Sequence, residues 1–538
     1  MARRDGVNVR IRAAALLLVA LPAAFLLLSS GWPLVALVAR SLRGSGWSEL
    51  VDALGNARIG RLAVLTAGQA ALSAAIAVMV GVPCAYCHAR FEMPGRRLLW
   101  ALVAVPFVLP TVVVAAAVGR VERIVGLEGD TGTWATIIAA HVIVNVAVVV
   151  RTVGVRLAAV DPSVEEAARL AGRSPLVAAW CAVRVAGESV LSAAVVVFLF
   201  CATSFGIVAV LGGGSVSTIE IEIWFQTTQL LRLDVAALLS VVQMVVVGAV
   251  VAVLLRPRQH RGTLVSTRPR RCPRGVERAV VAAAAVVQVL VAAGPLLVLL
   301  IRSLQVGGGW GLDHYRNLGD TLEGTGLAVG PWQATLASLQ IAMAATSIAL
   351  VVGALAASAV AVGVRGARVL DAALLIPLAT SAATVGFGIL IAYSGPPLDL
   401  RGSWWALPVV EAAIAAPLVA RALVPVFGDI DRRQLDAAAT LGASGWRRLR
   451  EVVLPAVRPA LGVAAGLAFA VSLGEFGATA FLARSGSPTL PQLMVRLLGR
   501  PGEANLGQAM AVGVLMAVLT AGVFALAEAL GRGRALEF

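Results

Sequence analysis

The stretch EAARLAG at residues 166–172 recurs 270 positions later as DAAATLG at residues 436–442. Each copy places an acidic residue, two alanines and a glycine at the same spacing, in a polar, arginine-bearing segment between long apolar runs. This composition is typical of a short helix that has a small-residue face and ends at a glycine. The repeat predicts a chain of two similar halves, each presenting one such helix.

Composition places most of this chain in lipid. Of its 538 residues, 59% are hydrophobic and 14% are charged, and the mean hydropathy is +0.89. A soluble globule of this composition would have too little polar surface, so the sequence indicates a polytopic membrane protein. All 44 basic residues are arginine, and the lack of lysine excludes a P-loop, a Schiff base and a pyridoxal phosphate attachment site. We expect neither a catalytic residue nor a cofactor.

Twelve apolar runs have about the length that crosses a bilayer. The first six lie at about 13–39, 62–88, 98–119, 133–157, 188–211 and 233–255. The second six lie at about 279–301, 334–362, 369–393, 404–427, 460–483 and 507–530. The sequence therefore predicts an all-α polytopic membrane protein with about twelve transmembrane helices, arranged as two parallel-repeat six-helix domains.

The segment 256–278 separates the two sets of runs and carries eight arginines, three prolines and one glutamate, which predicts a polar linker. We therefore expect a first domain over residues 1–255 and a second over 279–538, with polar loops at about 160–183 and 428–456. Of the 44 arginines, 31 fall in segments that this arrangement places on the side of the N-terminus. The positive-inside rule then puts both termini, both loops and the linker in the cytoplasm.

The two polar loops resemble the EAA loop of the type I, MetI-like permeases of binding-protein-dependent ABC importers. The second copy matches its acidic residue, two alanines, glycine and downstream Leu-Pro, whereas the first has Arg184 and Val185 in place of Leu-Pro. The resemblance implies that each loop couples the permease to an ATPase subunit. The implied coupling residues are Glu165, Glu166, Ala167, Ala168 and Gly172 in the first loop, and Asp436, Ala437, Ala438, Gly442, Leu454 and Pro455 in the second.

The resemblance also implies the partners and the function. The partners would be two copies of an ABC ATPase, an extracytoplasmic solute-binding protein and the lipids of a bacterial plasma membrane, and no nucleic acid. The chain itself would be a non-enzymatic permease that forms the translocation path for a small solute. Fused permeases of this form that handle ferric iron or thiamine favour those two solutes, and molybdate or sulfate, polyamine and phosphonate stay open.

Residues 472–479, SLGEFGAT, place a carboxylate inside the eleventh apolar run. A carboxylate in a span costs about 2.5–3.5 kcal/mol on insertion scales, so it usually faces a pore, a partner or water. A Glu475 that hydrogen-bonds to neighbouring helices is an equally good explanation. The candidates for the translocation path are Glu475, Ser472, Phe476, Thr479 and, in the first half, Ser204. We expect Glu411, nearer the end of its run, to lie at a membrane interface.

The same sequence also fits two other interpretations. An ion- or proton-coupled secondary transporter with duplicated halves would use Glu475 as its proton carrier. The sequence CAYCH at residues 84–88 fits a haem-attachment pattern. It lies at the cytoplasmic end of a predicted span, whereas such haem is attached on the outer side, so we expect helix-end residues there. The four histidines and five cysteines show no metal-ligand spacing, and we expect no metal site.

Overall fold

The computed structural model describes residues 18–42, 57–103, 105–127, 129–254, 270–319, 330–396, 398–400, 402–483 and 488–531. These residues are almost entirely helical, which confirms the all-α fold class. The N-terminal arginines, the part of the linker before residue 270 and the C-terminal arginines lie outside the described residues.

The helices of the first half include one long membrane-length helix after another, separated by short ones. The first span runs over Leu18–Ser41 and contains a π-helical turn at Leu27–Gly31. The helices that follow are Ala57–Arg90, Arg96–Leu102, Val105–Val108, Thr111–Val125, Gly129–Ala159, Ser163–Leu170, Pro175–Val185, Gly187–Ala202, Gly206–Leu211, Ile219–Thr228 and Leu233–Leu254.

The second half repeats this order and adds two small hairpins. Its helices are Val276–Ser303, Asp313–Arg316, Asn317–Gly319 (3-10), Pro331–Val362, Ala367–Ala373, Leu375–Ala379, Ala382–Ala392, Ala406–Gly428, Arg432–Thr440, Gly445–Arg448, Leu449–Val453 (π), Leu454–Gly474, Gly477–Leu482, Leu490–Leu498 and Glu503–Gly531. The hairpins are antiparallel: Gln305–Val306 pairs with Gly309–Trp310, and Ser394–Gly395 pairs with Leu398–Asp399.

Equivalent helices of the two halves cross through equivalent glycines. A Cβ added to Gly81 would lie 2.7 Å from Val149, and one added to Gly353 would lie 2.6 Å from Val419. Small residues at such crossings let two helix backbones approach closely in a membrane. The close crossing therefore occurs once in each half and holds the core of that half together.

Nine described helices are long and apolar enough to cross a membrane, or up to twelve if each of three bent pairs counts as one span. Two of the bends, near 96° and 100°, fall within the apolar runs at 98–119 and 369–393. Pro110 lies at the first bend, where its ring and missing N–H favour a break between helices. Ser381 lies at the second bend, where its hydroxyl caps the next helix by accepting from Thr384 N at 2.9 Å.

The fifth and eleventh runs, 188–211 and 460–483, also contain a break between helices. The helix Gly187–Ala202 meets the preceding Pro175–Val185 at 72°. In both runs the helix then stops, at Ala202 and at Gly474, and a six-residue helix follows three or four residues later. The interior of the protein therefore contains two equivalent helix breaks, the second of them at Glu475.

The first helix of each half packs against the other half. Leu37 packs with Phe387 of the second half, and the hydroxyl of Tyr393 donates to Leu28 O at 2.7 Å. In return, Val281 and Ala284 of Val276–Ser303 belong to the apolar core of the first half. Because each half contributes a helix to the core of its partner, the two halves interlock.

Candidate functional sites: paired loop helices and an interior acidic cluster

The first loop helix, Ser163–Leu170, is closed at both ends by local contacts. At its start, Ser163 N donates to Asp161 Oδ1 at 2.8 Å. At its end, Gly172 adopts a φ of 74° and Arg173 N donates to Ala168 O at 3.0 Å. This is the arrangement in which a glycine in the left-handed region stops a helix and satisfies its last carbonyls.

The second loop helix, Arg432–Thr440, has the same two ends. Arg433 N donates to Asp431 Oδ1 at 2.9 Å. Gly442 adopts a φ of 79°, and Ala443 N donates to Ala438 O at 2.9 Å. The two sequence copies at residues 166–172 and 436–442 therefore fold into the same local structure.

A buried ion pair anchors the first loop helix to the membrane-spanning bundle. Arg90 Nε lies 2.6 Å from Glu165 Oε1, and Arg90 Nη1 donates to Val160 O at 3.0 Å. The hydroxyl of Tyr86 donates to the other oxygen of Glu165 at 2.9 Å. Because Glu165 is buried in these contacts, its carboxylate faces the bundle rather than the loop surface.

The second loop helix lacks this anchor. None of the residues of Arg432–Thr440 is buried, and Leu435 occupies the position that corresponds to Glu165. Apart from Glu165, the residues that the sequence assigns to coupling reach the surface in both loops. Glu166, Ala167, Gly172, Asp436, Ala437, Gly442, Leu454 and Pro455 are exposed, and Ala168 and Ala438 are half-buried.

Large apolar side chains stand exposed beside both loop helices. Leu176 and Trp446 occupy equivalent positions just after the two loop glycines and are 81% and 72% exposed. Leu170 is exposed together with Leu176, and Leu441 together with Trp446, so that each loop helix has one exposed apolar patch beside it. Leu176 and Trp446 lie in the first turn of segments that also count as candidate spans, next to the polar loop helices. Clustered exposed apolar groups of this size are typical of a surface that a partner or lipid covers.

The part of the linker that the structure describes, residues 270–278, lies against the first half. Arg271 forms a bridge to Phe91 and stands over its ring, 4.6 Å from the centroid. Glu277 contacts Arg271 at 2.7 Å and Arg169 of the first loop helix at 3.8 Å. Cys272, an exposed thiol, donates to Glu92 at 3.3 Å, and this contact raises the pKa of the thiol above its usual value.

Glu475 occupies the helix break between Leu454–Gly474 and Gly477–Leu482. Its Oε1 accepts from Ala478 N at 3.2 Å, so the carboxylate caps the helix that follows. The side chain is only half-buried. Both roles considered for Glu475 are therefore compatible with its geometry: it holds the break, and part of it stays accessible.

The other path candidates lie around the same two breaks. Ser472 and Phe476 are buried, and the hydroxyl of Thr479 lies 3.1 Å from Glu475 O and 2.9 Å from Phe476 O, just before its helix. Ser204 takes the place of Glu475 in the first half and is half-buried. The rings of Phe205 and Phe476 stack across the two halves with centroids 5.3 Å apart. The breaks therefore face each other at the interface between the halves.

Two more carboxylates reach this interface, and sequence reasoning missed both as path residues. Glu220 lies on Ile219–Thr228 and Glu411 on Ala406–Gly428, and both of these helices pack against Gly477–Leu482, the helix that Glu475 caps. We define these three residues as the acidic cluster. Glu411, which we expect near a membrane interface, is buried by its protein neighbours. A signal existed for Glu220, since it is an acidic residue in the apolar stretch IEIEIWF.

The cysteines and histidines form no such assembly. Cys84 and Cys87 are buried free thiols, and His88 bonds Gln288 at 2.7 Å. Across the described ranges, no group of three or more His, Cys, Asp or Glu residues could hold a metal ion. The CAYCH stretch thus serves as the packed end of the helix Ala57–Arg90.

Comparisons with known proteins agree with this architecture. Residues 349–535 match the family described as the binding-protein-dependent transport system inner membrane component. The thiamine transport system permease protein ThiP of Brucella abortus is 28% identical over 523 residues, covering 90% of this chain and 91% of the relative. PhnV of Salmonella typhimurium, named for 2-aminoethylphosphonate transport, is 34% identical over 235 residues, covering 42% of this chain and 83% of the relative.

These matches and the apolar helices describe a multi-pass protein of a bacterial inner membrane. A relative of the full length and relatives of half the length both align, as expected for a chain in which two permease units are fused. The chain belongs to the MetI-like family of binding-protein-dependent transport permeases, as a fused two-domain ABC permease.

Proposed function

We propose that this chain binds two copies of an ABC ATPase through its two loop helices and carries a small solute that an extracytoplasmic binding protein delivers. The observation that carries the proposal is the pair of loop helices, which share end geometry and each present an exposed apolar patch. Two matching surfaces on one chain suit two copies of one partner.

The exposed residues of the loops would make the contact. Small alanine side chains allow close approach, Glu166 and Asp436 supply charge, and Leu176 and Trp446 supply apolar area. Glu165 has a different role in this proposal: it positions the first loop helix by its buried contact with Arg90.

The proposal includes a division of the chain and an orientation. Residues 1–255 and 279–538 are the two permease domains, joined by the linker 256–278. Both termini, the linker and both loop helices face the cytoplasm, in keeping with the arginine distribution. Each domain is completed by the first helix of the other.

For the solute we favour thiamine. The support is the thiamine permease relative, which aligns over 90% of this chain. Ferric iron is the second candidate, because the chain resembles fused permeases that handle ferric iron. Phosphonate follows from the half-length relatives, and molybdate or sulfate and polyamine rest on the resemblance alone.

The test is capture of the cognate ATPase by the purified permease. Ala167→Arg and Ala437→Arg each place a bulky charge on one exposed loop position, and each should remove one of two bound ATPase copies, measured by light scattering of the detergent complex. Gly319→Arg, at an exposed glycine with no atom near a built Cβ, is the matched control. Undiminished capture of two copies by the double variant would contradict the coupling assignment.

A proton-coupled secondary transporter is the alternative function. Membership of the binding-protein-dependent family argues against it. The discriminating measurement is uptake into vesicles under an imposed proton gradient without the ATPase. The permease should give none, whereas the alternative requires transport under these conditions.

A further inference from the structure

An open groove lies between the first turns of the helix Val276–Ser303 and the segment that follows the helix Ala57–Arg90. Its volume is about 780 Å³. The short helix Arg96–Leu102 packs against Val276–Ser303 and forms part of the opposite wall. Small-molecule sites in proteins have volumes of about 300–1,000 Å³, so the groove has room for part of a bound molecule.

The linker forms one edge of this groove and is held there by backbone hydrogen bonds. Glu92 N donates to Arg271 O at 3.0 Å, and Arg271 N donates to Arg90 O at 3.1 Å. Cys272 and Pro273 follow directly and line the groove. The edge is therefore fixed by contacts between segments that lie far apart in the chain.

The floor of the groove is apolar, and the groove lies at the end of a membrane-length helix. Met93, Leu99 and Val281 line it with buried side chains. Val276–Ser303 is a candidate span, and only 28% of its most apolar window is buried by protein. Most of this helix therefore faces lipid, and its first turns lie where the hydrocarbon core meets the headgroups.

Arg278 brings positive charge to the groove. It is a lining residue, and its Nε donates to Pro273 O at 3.3 Å, which holds the guanidinium group at the edge. Arg274, one helical turn earlier, is also exposed. Within the part of the chain that the structure describes, neither arginine forms an ion pair with a carboxylate.

The nearby carboxylates do not cancel this charge. Glu277, between the two arginines, already contacts Arg271 at 2.7 Å. Glu92 is the one acidic residue among those that line the groove, and it accepts the thiol of Cys272 at 3.3 Å. Two arginines against one glutamate leave the mouth of the groove with a net positive charge.

We propose that this groove binds an anionic phospholipid, with an acyl chain along Met93, Leu99 and Val281 and the phosphate at Arg278 and Arg274. Basic pockets between membrane helices on the cytoplasmic side suit anionic headgroups, and an apolar floor below two arginines matches both parts of such a lipid. The inference goes beyond the proposed function, because it concerns neither the solute nor the ATPase. From the proposed orientation it takes only the leaflet.

The experiment titrates the purified full-length permease, in a neutral detergent, with phosphatidylglycerol or with phosphatidylcholine of the same acyl chains. Cys272 is exposed in the groove, so its rate of labelling by a water-soluble maleimide reports occupancy, and native mass spectrometry counts bound lipid. Phosphatidylglycerol should slow this labelling at a concentration at least about tenfold lower than phosphatidylcholine. Labelling of the half-buried Cys181 should not change.

The variants separate the charged part of the site from the apolar part. Arg278→Gln should weaken protection by phosphatidylglycerol about fivefold, whereas Arg278→Lys should retain it. Ala282→Trp fills the exposed wall of the groove and should weaken protection by both lipids. The matched controls are Arg368→Gln, at an exposed arginine of the second half, and Ala283→Trp, at the exposed neighbour that does not line the groove. Both controls should behave as wild type.

Several results would overturn the lipid site. One is equal protection by the two lipids, and another is equal protection by glycerol 3-phosphate, which has no acyl chain. Slow labelling in detergent alone that lipid does not alter would mean that the linker segment 256–269 covers the groove. A dimer with protected Cys272 would mean that a second copy of the chain covers it. None of these results affects ATPase capture, so the proposed function is tested separately.

Discussion

The two loop helices have the same ends but different attachments. Each is opened by an aspartate that accepts a backbone N–H and closed by a glycine with a positive φ, 74° in the first loop and 79° in the second. The first is fixed to the bundle by the buried Arg90–Glu165 pair, whereas the second has no buried residue. A repeated motif thus specifies its own local shape, and its surroundings decide how firmly it is held.

This difference gives the two loop helices different roles in the proposed coupling to the ATPase. The first loop helix is joined to the helix Ala57–Arg90 and, through Arg169 and Glu277, to the helix Val276–Ser303. A movement of that loop passes directly to helices of both halves. The second loop helix continues through Gly445–Arg448 and Leu449–Val453 into Leu454–Gly474, which ends at Glu475.

The largest expected effect comes from breaking the anchor. Arg90→Met leaves Glu165 buried without its cation, and both side chains are only 6% exposed. Loss of one partner of such a pair costs about 3–5 kcal/mol, measurable as a lowered unfolding free energy in detergent. The control is Arg421→Met, which breaks the partly exposed pair with Asp371 at 3.2 Å and should cost less than about 1 kcal/mol. Equal losses in both variants would remove the distinction between the two loops.

The next effect concerns the exposed apolar patches. Trp446→Glu should weaken ATPase binding by about 2 kcal/mol, or roughly thirtyfold, because tryptophan supplies large contact area at interface centres. Leu176→Glu, at the equivalent position, should cost about half as much. Titration calorimetry with the ATPase measures both, and the stability of the free permease serves as the control. Unchanged affinity in both variants would exclude these patches from the contact.

A smaller effect should be the same in both halves. Gly172→Ala and Gly442→Ala place a Cβ in the left-handed region, and no atom lies within 4 Å of either built Cβ. Backbone strain alone should therefore lower stability, by about 1 kcal/mol in each case. Gly445→Ala, at a helical glycine with equal space, is the control and should not destabilise. A clearly larger loss in one loop would show that the two ends are not equivalent.

The smallest effect tests the contact between linker and first loop helix. Glu277→Gln removes an ion pair with Arg271 and Arg169 that is partly exposed. It should lower stability by less than about 1 kcal/mol at low salt, and by less still in about 1 M salt. Glu451→Gln, which removes the exposed pair with Arg447 at 2.9 Å in the second loop, is the matched control. A salt-independent loss for Glu277→Gln would point to packing rather than charge.

Much of the fold follows from local sequence. The long apolar runs specify membrane-length helices, and Asp161, Asp431, Gly172 and Gly442 specify the ends of the loop helices, because capping involves atoms only a few residues apart. Two of the predicted apolar runs, 98–119 and 369–393, contain a sharp bend, since hydropathy reports depth in lipid and says little about direction. The proline at residue 110 was the local sign of one bend.

The sequence by itself determined the membrane class, the duplication and the shape of the two loops, because these depend on composition and short-range contacts. Tertiary structure alone decided the exchange of first helices, the burial of Glu165 and the packing of the helices that carry Glu220 and Glu411 against Gly477–Leu482. Those features join segments far apart in the chain. Only the packing of the interlocked halves fixes which of their faces meet.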